Sequence, residues 1–238
     1  MFGAIITLLA AVMFAAGPFL FPNFQGFAPD LFPIPQERPP FQPAGFAFGI
    51  WGVIYLWLIV GSVFGLWRRR SDPEWGRMRP ALILSLLLGA AWLPFAQNDP
   101  IIACVMIWAM WVTALAALFR APNLDRAMAA WPVGLYAGWL TAAACVATGL
   151  NLAGFGILEP ELTALVMMAC AITLAICIQL ILKGASTYGF AVIWAMYGIF
   201  VANDKGNPDV AALALLAMIG ISALALVALA RELRGRTM

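Results

Sequence analysis

No histidine occurs anywhere in this 238-residue chain, and charged residues make up only 10% of it. Each scarcity excludes chemistry. Histidine is the commonest metal ligand and the side chain that titrates nearest neutrality. The four cysteines, Cys104, Cys145, Cys170 and Cys177, show no CxxC spacing. A metal centre therefore has no recognisable ligand set, and each thiol reads as a small buried hydrophobe. Apart from Arg120 at the very end of the fourth, the long apolar runs contain no Asp, Glu, Lys or Arg. A charge inside a bilayer is costly and marks an ion or proton path where it is kept. Its absence argues against a pump or an ion-coupled transporter. With no acid, base or nucleophile pair in the runs, it also argues against most intramembrane enzymes. A net charge of +2 offers no footprint for nucleic acid.

What is present is greasy and aromatic: 64% hydrophobic residues and ten tryptophans. A helix needs ~20 mostly apolar residues to cross a bilayer. Eight such runs are readable, at 1–22, 45–67, 80–97, 101–120, 131–154, 162–182, 186–203 and 210–230. The expected fold class is an all-α, polytopic transmembrane helical bundle, since lipid forces backbone groups to be satisfied within each segment. The short connections leave no room for a soluble domain. Arg68, Arg69, Arg70, Arg77 and Arg79 follow the second run, Arg120 and Arg126 the fourth, Lys183 the sixth, and Arg231, Arg234 and Arg236 the eighth. Only Arg38 and Lys205 fall on the other side. Cytoplasmic loops collect Lys and Arg, so both termini are expected in the cytoplasm, in a bacterial-type inner membrane. The first run has no basic n-region and is too long for a signal-peptide core, so it reads as a retained span. Pro18 and Pro22 should kink or end its outer half.

Residues 23–44 form the one long outer connection. It holds six prolines and the phenylalanines Phe24, Phe27, Phe32 and Phe41. Proline removes donors and fixes φ, so helix and sheet are both excluded there. Two readings stand: a lid packed over the bundle mouth, or a segment lying among the headgroups.

Several aromatics fall away from the run ends, where membrane tryptophans usually gather. Trp51 and Tyr55 are four apart; Trp108 and Trp111, Tyr136 and Trp139, and Trp194 and Tyr197 are three apart. Such spacings share a helix face. At ~1.5 Å per residue, Trp51, Trp92 and Trp108 lie in the outer half. Converging faces would build an outward-opening aromatic pocket beneath the loop; the alternative is aromatic packing between helices. Gln97, Asn98 and Thr113 are the polar side chains nearby that could accept from buried indoles.

Pro43-Ala-Gly-Phe-Ala-Phe-Gly-Ile-Trp51-Gly-Val-Ile-Tyr55 resembles the second-helix signature of the TspO/MBR family, the tryptophan-rich sensory and translocator proteins. Trp92-Leu-Pro-Phe95 is similar to its third-helix tryptophan segment, and Trp108 and Trp111 to its fourth helix. Pro132-Val-Gly-Leu-Tyr136-Ala-Gly-Trp139, with Ala142 and Asn151 beyond, resembles its fifth helix. The resemblance covers about residues 1–155. It departs from the family pattern at Gly45, where a tryptophan is usual, and in the spacing of Pro132, Tyr136 and Asn151. It implies a five-helix core over 1–155 with the loop at 23–44, and three added helices over 156–238. Gly45–Trp51 and Gly189–Trp194 are alike with a one-residue gap, which would fit an internal repeat.

The resemblance further implies a receptor or translocator with no required cofactor. It would hold a planar hydrophobic ligand, a porphyrin such as protoporphyrin IX or a lipid, in the aromatic pocket read above from Trp51, Tyr55, Trp92, Trp108, Trp111, Tyr136, Trp139, Trp194 and Tyr197. Arg38 would face acidic propionates, and the missing histidine favours a metal-free porphyrin. Partners are then membrane lipid, a hydrophobic small molecule, and a second copy in a homodimer. The competing class is an accessory or assembly subunit of a larger membrane complex, docking through small-residue faces such as Ala142–Ala144 and Ala211–Ala212. A lipid enzyme would need Asp99, Glu159, Glu161, Asp204 or Asp209 turned into a cavity.

Overall fold

The computed structural model describes residues 1–21, 26–182 and 186–234. Pro22, Phe24, Lys183 and Arg236, which entered the sequence reading, lie outside the described residues. Eight α-helices follow in order: α1 Phe2–Leu20, α2 Ile50–Arg68, α3 Pro73–Ala96, α4 Pro100–Phe119, α5 Ala130–Gly154, α6 Pro160–Leu182, α7 Ser186–Asn203 and α8 Pro208–Arg234. A 3-10 helix over Gly45–Gly49 leads into α2. There is no strand among the described residues.

Local sequence explains the boundaries. Asp72 and Asp99 each accept hydrogen bonds from two backbone N–H groups of the turn that follows, and Pro73 and Pro100 occupy the first helical position. This is the favoured N-terminal chemistry, an oxygen acceptor followed by a residue with no donor to lose. The cap at Asp72 starts α3 seven residues before the expected 80, which places Glu74, Arg77 and Arg79 on its opening turns. Asp99 is therefore a cap. Pro18 sits inside α1, two residues before its end.

All helices except α7 are long and apolar enough to cross a membrane. Their outward faces carry exposed large apolar side chains, among them Leu9, Val53, Leu84, Val105, Ile181 and Ile219. So extensive an apolar exterior suits lipid, not water, and the protein is an integral membrane protein. The seventh expected span, α7, matches its expected range but is shorter and more polar. Ser186, Thr187 and Asn203 at its ends are buried in the bundle. They find partners there and lower its hydropathy.

The centre of the bundle is α5, in which 18 of 25 residues are buried. It packs against α2, α4, α6 and α7. Glycines make this possible. A side chain at Gly138 would collide with the Tyr188 backbone carbonyl, and one at Gly134 would press on Thr187 Oγ1. Close backbone approach through small residues is the usual means of holding membrane helices together. Ala142 and Ala144 are buried in the same way. The small-residue run suggested for docking a partner is used within the chain.

Contacts sort the connections into two ends. At the arginine end, Arg69 Nε donates to Asp125 Oδ2 at 2.6 Å, tying the α2–α3 turn to the α4–α5 loop. This bond, followed by the charge of Asp125, raises the guanidinium pKa above its ordinary value. The Arg79 guanidinium is buried and donates to the carbonyls of Gly65, Arg69 and Arg70 at 2.8–3.3 Å. It closes the C-terminus of α2, whose last carbonyls lack helical partners. Glu232 on α8, 4% exposed, accepts from Ser186 Oγ at 2.5 Å and from Trp131 Nε1 at 3.2 Å. Arg126 Nη1 lies 3.9 Å from its other oxygen. The expected eighth span stopped at 230 and missed this buried carboxylate, which clasps α5, α7 and α8.

Gly138→Ala should destabilise the protein by about 1–3 kcal/mol, because the neighbour is backbone and cannot move aside cheaply. Gly52→Ala, where an added methyl meets open space, should be neutral or stabilising by about 0.5–1 kcal/mol. Thermal unfolding in detergent compares the two; equal melting temperatures would refute the close-approach account. By the same assay Glu232→Ala should cost about 1–3 kcal/mol through the stranded donors, and Glu232→Gln clearly less.

Candidate functional site

At the end opposite the arginines, a cavity of about 500 Å³ opens between α1, α2, α3, α4 and α5. That volume is in the range of small-molecule sites, ~300–1,000 Å³. Its wall is aromatic and apolar. Phe14 and Pro18 come from α1, Trp51 and Tyr55 from α2, and Trp92 from α3; Met110 comes from α4 and Trp139 from α5. The connection after α1 supplies Phe27, Gln42 and Pro43.

The rings form a connected frame. Trp51 and Tyr55, one turn apart on α2, stack at 5.4 Å with 17° between planes. Phe14 meets both edge-on, at 5.8 and 4.9 Å. Trp139 stands nearly perpendicular to Trp51 at 6.1 Å and to Phe48 at 5.9 Å. Such offset and edge-to-face pairs are worth ~0.5–1.5 kcal/mol each beyond burial, so the wall is preorganised. Gly89 on α3 gives Phe14 its place, since a side chain there would strike the ring.

The described part of the long loop is a lid. Phe32 and Phe41 are buried, seated against Gly154 and Gly149 of α5. Its backbone is tied down as well. Ile34 N–H donates to Gly154 O at 2.9 Å and Ala44 N–H to Gly198 O at 3.0 Å. Asn203 Nδ2 donates to Pro40 O at 2.8 Å. Helix α7 thus anchors the lid over the cavity.

Of the sequence-derived site residues, Trp51, Tyr55, Trp92 and Trp139 line the cavity. The others lie elsewhere. Tyr136 is one layer behind, against Phe14 and Trp51, with its hydroxyl 3.0 Å from Ser85 Oγ. Trp108 and Trp111 turn to α5, donating to Thr148 Oγ1 at 2.9 Å and Thr141 Oγ1 at 2.8 Å. Trp194 donates to Ala47 O at 2.8 Å, and with Tyr197 it packs on Phe46 at a half-exposed surface. The two segments suggested as a repeat are thereby in contact with each other. Arg38 is exposed and outside the wall. Glu159, Glu161, Asp204 and Asp209 are exposed, and none enters the cavity. The expected indole acceptors were different too: Asn98 and Thr113 bond within their own helices.

Sequence reasoning missed Phe14, Phe27, Phe48 and Met110. A phenylalanine inside an apolar run carries no spacing signal of its own. The α5 threonines were legible: Thr141 and Thr148 are seven apart, as required to meet Trp111 and Trp108 from one face.

The fold and cavity define a helical membrane protein with an aromatic chamber under a tethered lid. The family model described as TSPO-like protein matches residues 4–229, and the chain belongs to that family. The match runs well past residue 155 and takes in α6, α7 and most of α8. Comparison with curated proteins and with solved structures found no match.

Phe41→Ala should empty the seat on Gly149 and loosen the lid. Amide exchange at residues 34–44 should accelerate about tenfold or more, the ratio for ~1.4 kcal/mol of lost closure, while α5 amides stay protected. Unchanged exchange in the loop would mean that Phe41 does not hold it.

Proposed function

We propose that this protein is a receptor or translocator for a planar hydrophobic ligand, a porphyrin or other tetrapyrrole or a flat lipid, held in the aromatic cavity. The single observation that carries the reading is the chamber itself: about 500 Å³, framed by Trp51, Tyr55, Trp92 and Trp139 in a TSPO-like chain. Flat rings gain from stacking on indole faces. The cavity needs no metal or cofactor to do this. On the sidedness rule for Lys and Arg, the arginine end and both termini face the cytoplasm of a bacterial-type cell, and the lid faces out. A homodimer fits the same reading. The competing role, a subunit of a larger membrane complex, draws less support from the Ala142–Ala144 face, because Ala142 and Ala144 are buried within the chain; Ala212 of the second suggested face is exposed.

The test is a porphyrin titration of the purified protein followed by tryptophan quenching. Saturation in the low micromolar range is expected, with affinity about tenfold weaker in Trp51→Phe and Trp139→Phe. Quenching that does not saturate, or that ignores both substitutions, would reject the ligand-cavity role in favour of the complex subunit.

A further inference from the structure

Two thiols meet where α5 packs on α6. Cys145, buried on α5, lies within hydrogen-bonding reach of Cys170 on α6. The neighbouring turn gives the same register independently. Gly149 of α5 faces Met167 of α6, whose Cγ a methyl at the glycine would meet at 3.3 Å. The two helices run antiparallel. Cys145 is four residues before Gly149 and Cys170 three after Met167, so both fall on the facing stripes one turn deeper in the membrane. A glycine at the crossing lets the backbones approach closely, as a disulfide requires, with Cα atoms ~4.4–6.8 Å apart. All four cysteines are free thiols in this structure. Cys104 lies on α4, with its Sγ 3.6 Å from Thr148 Oγ1, and Cys177 is exposed on the outside of the bundle.

The position matters because of what lies above it. The Phe41 ring of the lid meets the same Gly149 position at 3.0 Å. The thiol pair therefore sits one turn beneath the lid's seat. We propose that Cys145 and Cys170 are an oxidisable dithiol whose disulfide ties α6 to α5 and tightens the seat of the lid. The inference does not depend on what the cavity binds. Cys170 is half-buried, so an oxidant dissolved in the bilayer reaches it first. A quinone suits this place. Both S–H bonds break and one S–S bond forms. The two electrons and two protons pass to the quinone, which leaves as the quinol. Reactants and products are all uncharged, so no ion is left in the apolar interior, where it would be costly. The alternative is that both thiols act only as small hydrophobes.

The test treats the full-length protein in lipid nanodiscs with duroquinone, whose ring is fully substituted, and maps disulfides by peptide mass spectrometry after blocking free thiols. A Cys145–Cys170 cross-linked peptide is expected, lost on reduction and absent from Cys145→Ala and from Cys170→Ala. Cys177→Ala should form it as the native chain does. Amide exchange at residues 34–44 should slow about tenfold on oxidation of the native chain, because the bridge removes local opening of the seat, and should not change in either single variant. Thiols that all stay reduced, a bridge between Cys145 and Cys104 instead, or lid exchange that is the same in both redox states would each overturn the proposal.

Discussion

The close approach of α7 to α5, backbone against backbone at Gly138 and Tyr188, is the constraint on which the rest of the structure depends. In lipid, helices gain little from hiding apolar side chains from one another, so contact distance and directed hydrogen bonds decide how they associate. The glycines of α5 bring α7 near enough for Tyr188 to reach Thr141, hydroxyl to hydroxyl at 2.6 Å. Thr141 in turn accepts from Trp111 of α4. One threonine thus joins three helices. The same placement of α7 puts Gly198 and Asn203 under the long loop, and their bonds to it hold it over the cavity. An added side chain at Gly138 would disturb helix packing, the threonine node and the lid together.

Hydrogen-bond accounting shows what most of the tryptophans do. Buried indole N–H groups seek acceptors. Trp57, Trp92 and Trp194 find backbone carbonyls, Trp108 and Trp111 find threonines, and Trp131 finds Glu232. These indoles staple helices and turns together. Trp51 and Trp139 do not have such a partner, and both line the chamber, but Trp75 Nε1 also lacks one and lies at the other end, against Phe64 and Arg79. In this fold, then, tryptophan has two jobs that burial alone does not distinguish.

Helix number, order and ends were readable because apolar run length and the positions of Pro, Asp and Arg are local signals. The α7 boundaries came out as expected, 186–203. The start of α3 was misplaced because charged residues were taken as the edge of the apolar run, whereas Asp72-Pro73 was the true cap signal. Glu232 was overlooked for a related reason, lying just past the apolar run. The site was only partly readable. Helical spacing shows which aromatics share a stripe, but not which neighbour that stripe meets. Trp108 and Trp111 share a stripe as fully as Trp51 and Tyr55 do, yet one pair meets threonines and the other a void. Tertiary arrangement decides between those outcomes.

Charge is distributed with a clear division of labour. The buried ionic groups, Arg79 and Glu232, sit at the arginine end, each satisfied by carbonyls, hydroxyls or an indole. There they clamp turns that would otherwise expose unsatisfied backbone to lipid. The other end has a tied lid over a chamber with no ionic group in its wall. Placing a cation there would have imposed a desolvation cost whenever the chamber lacked an anion. A neutral wall avoids that cost.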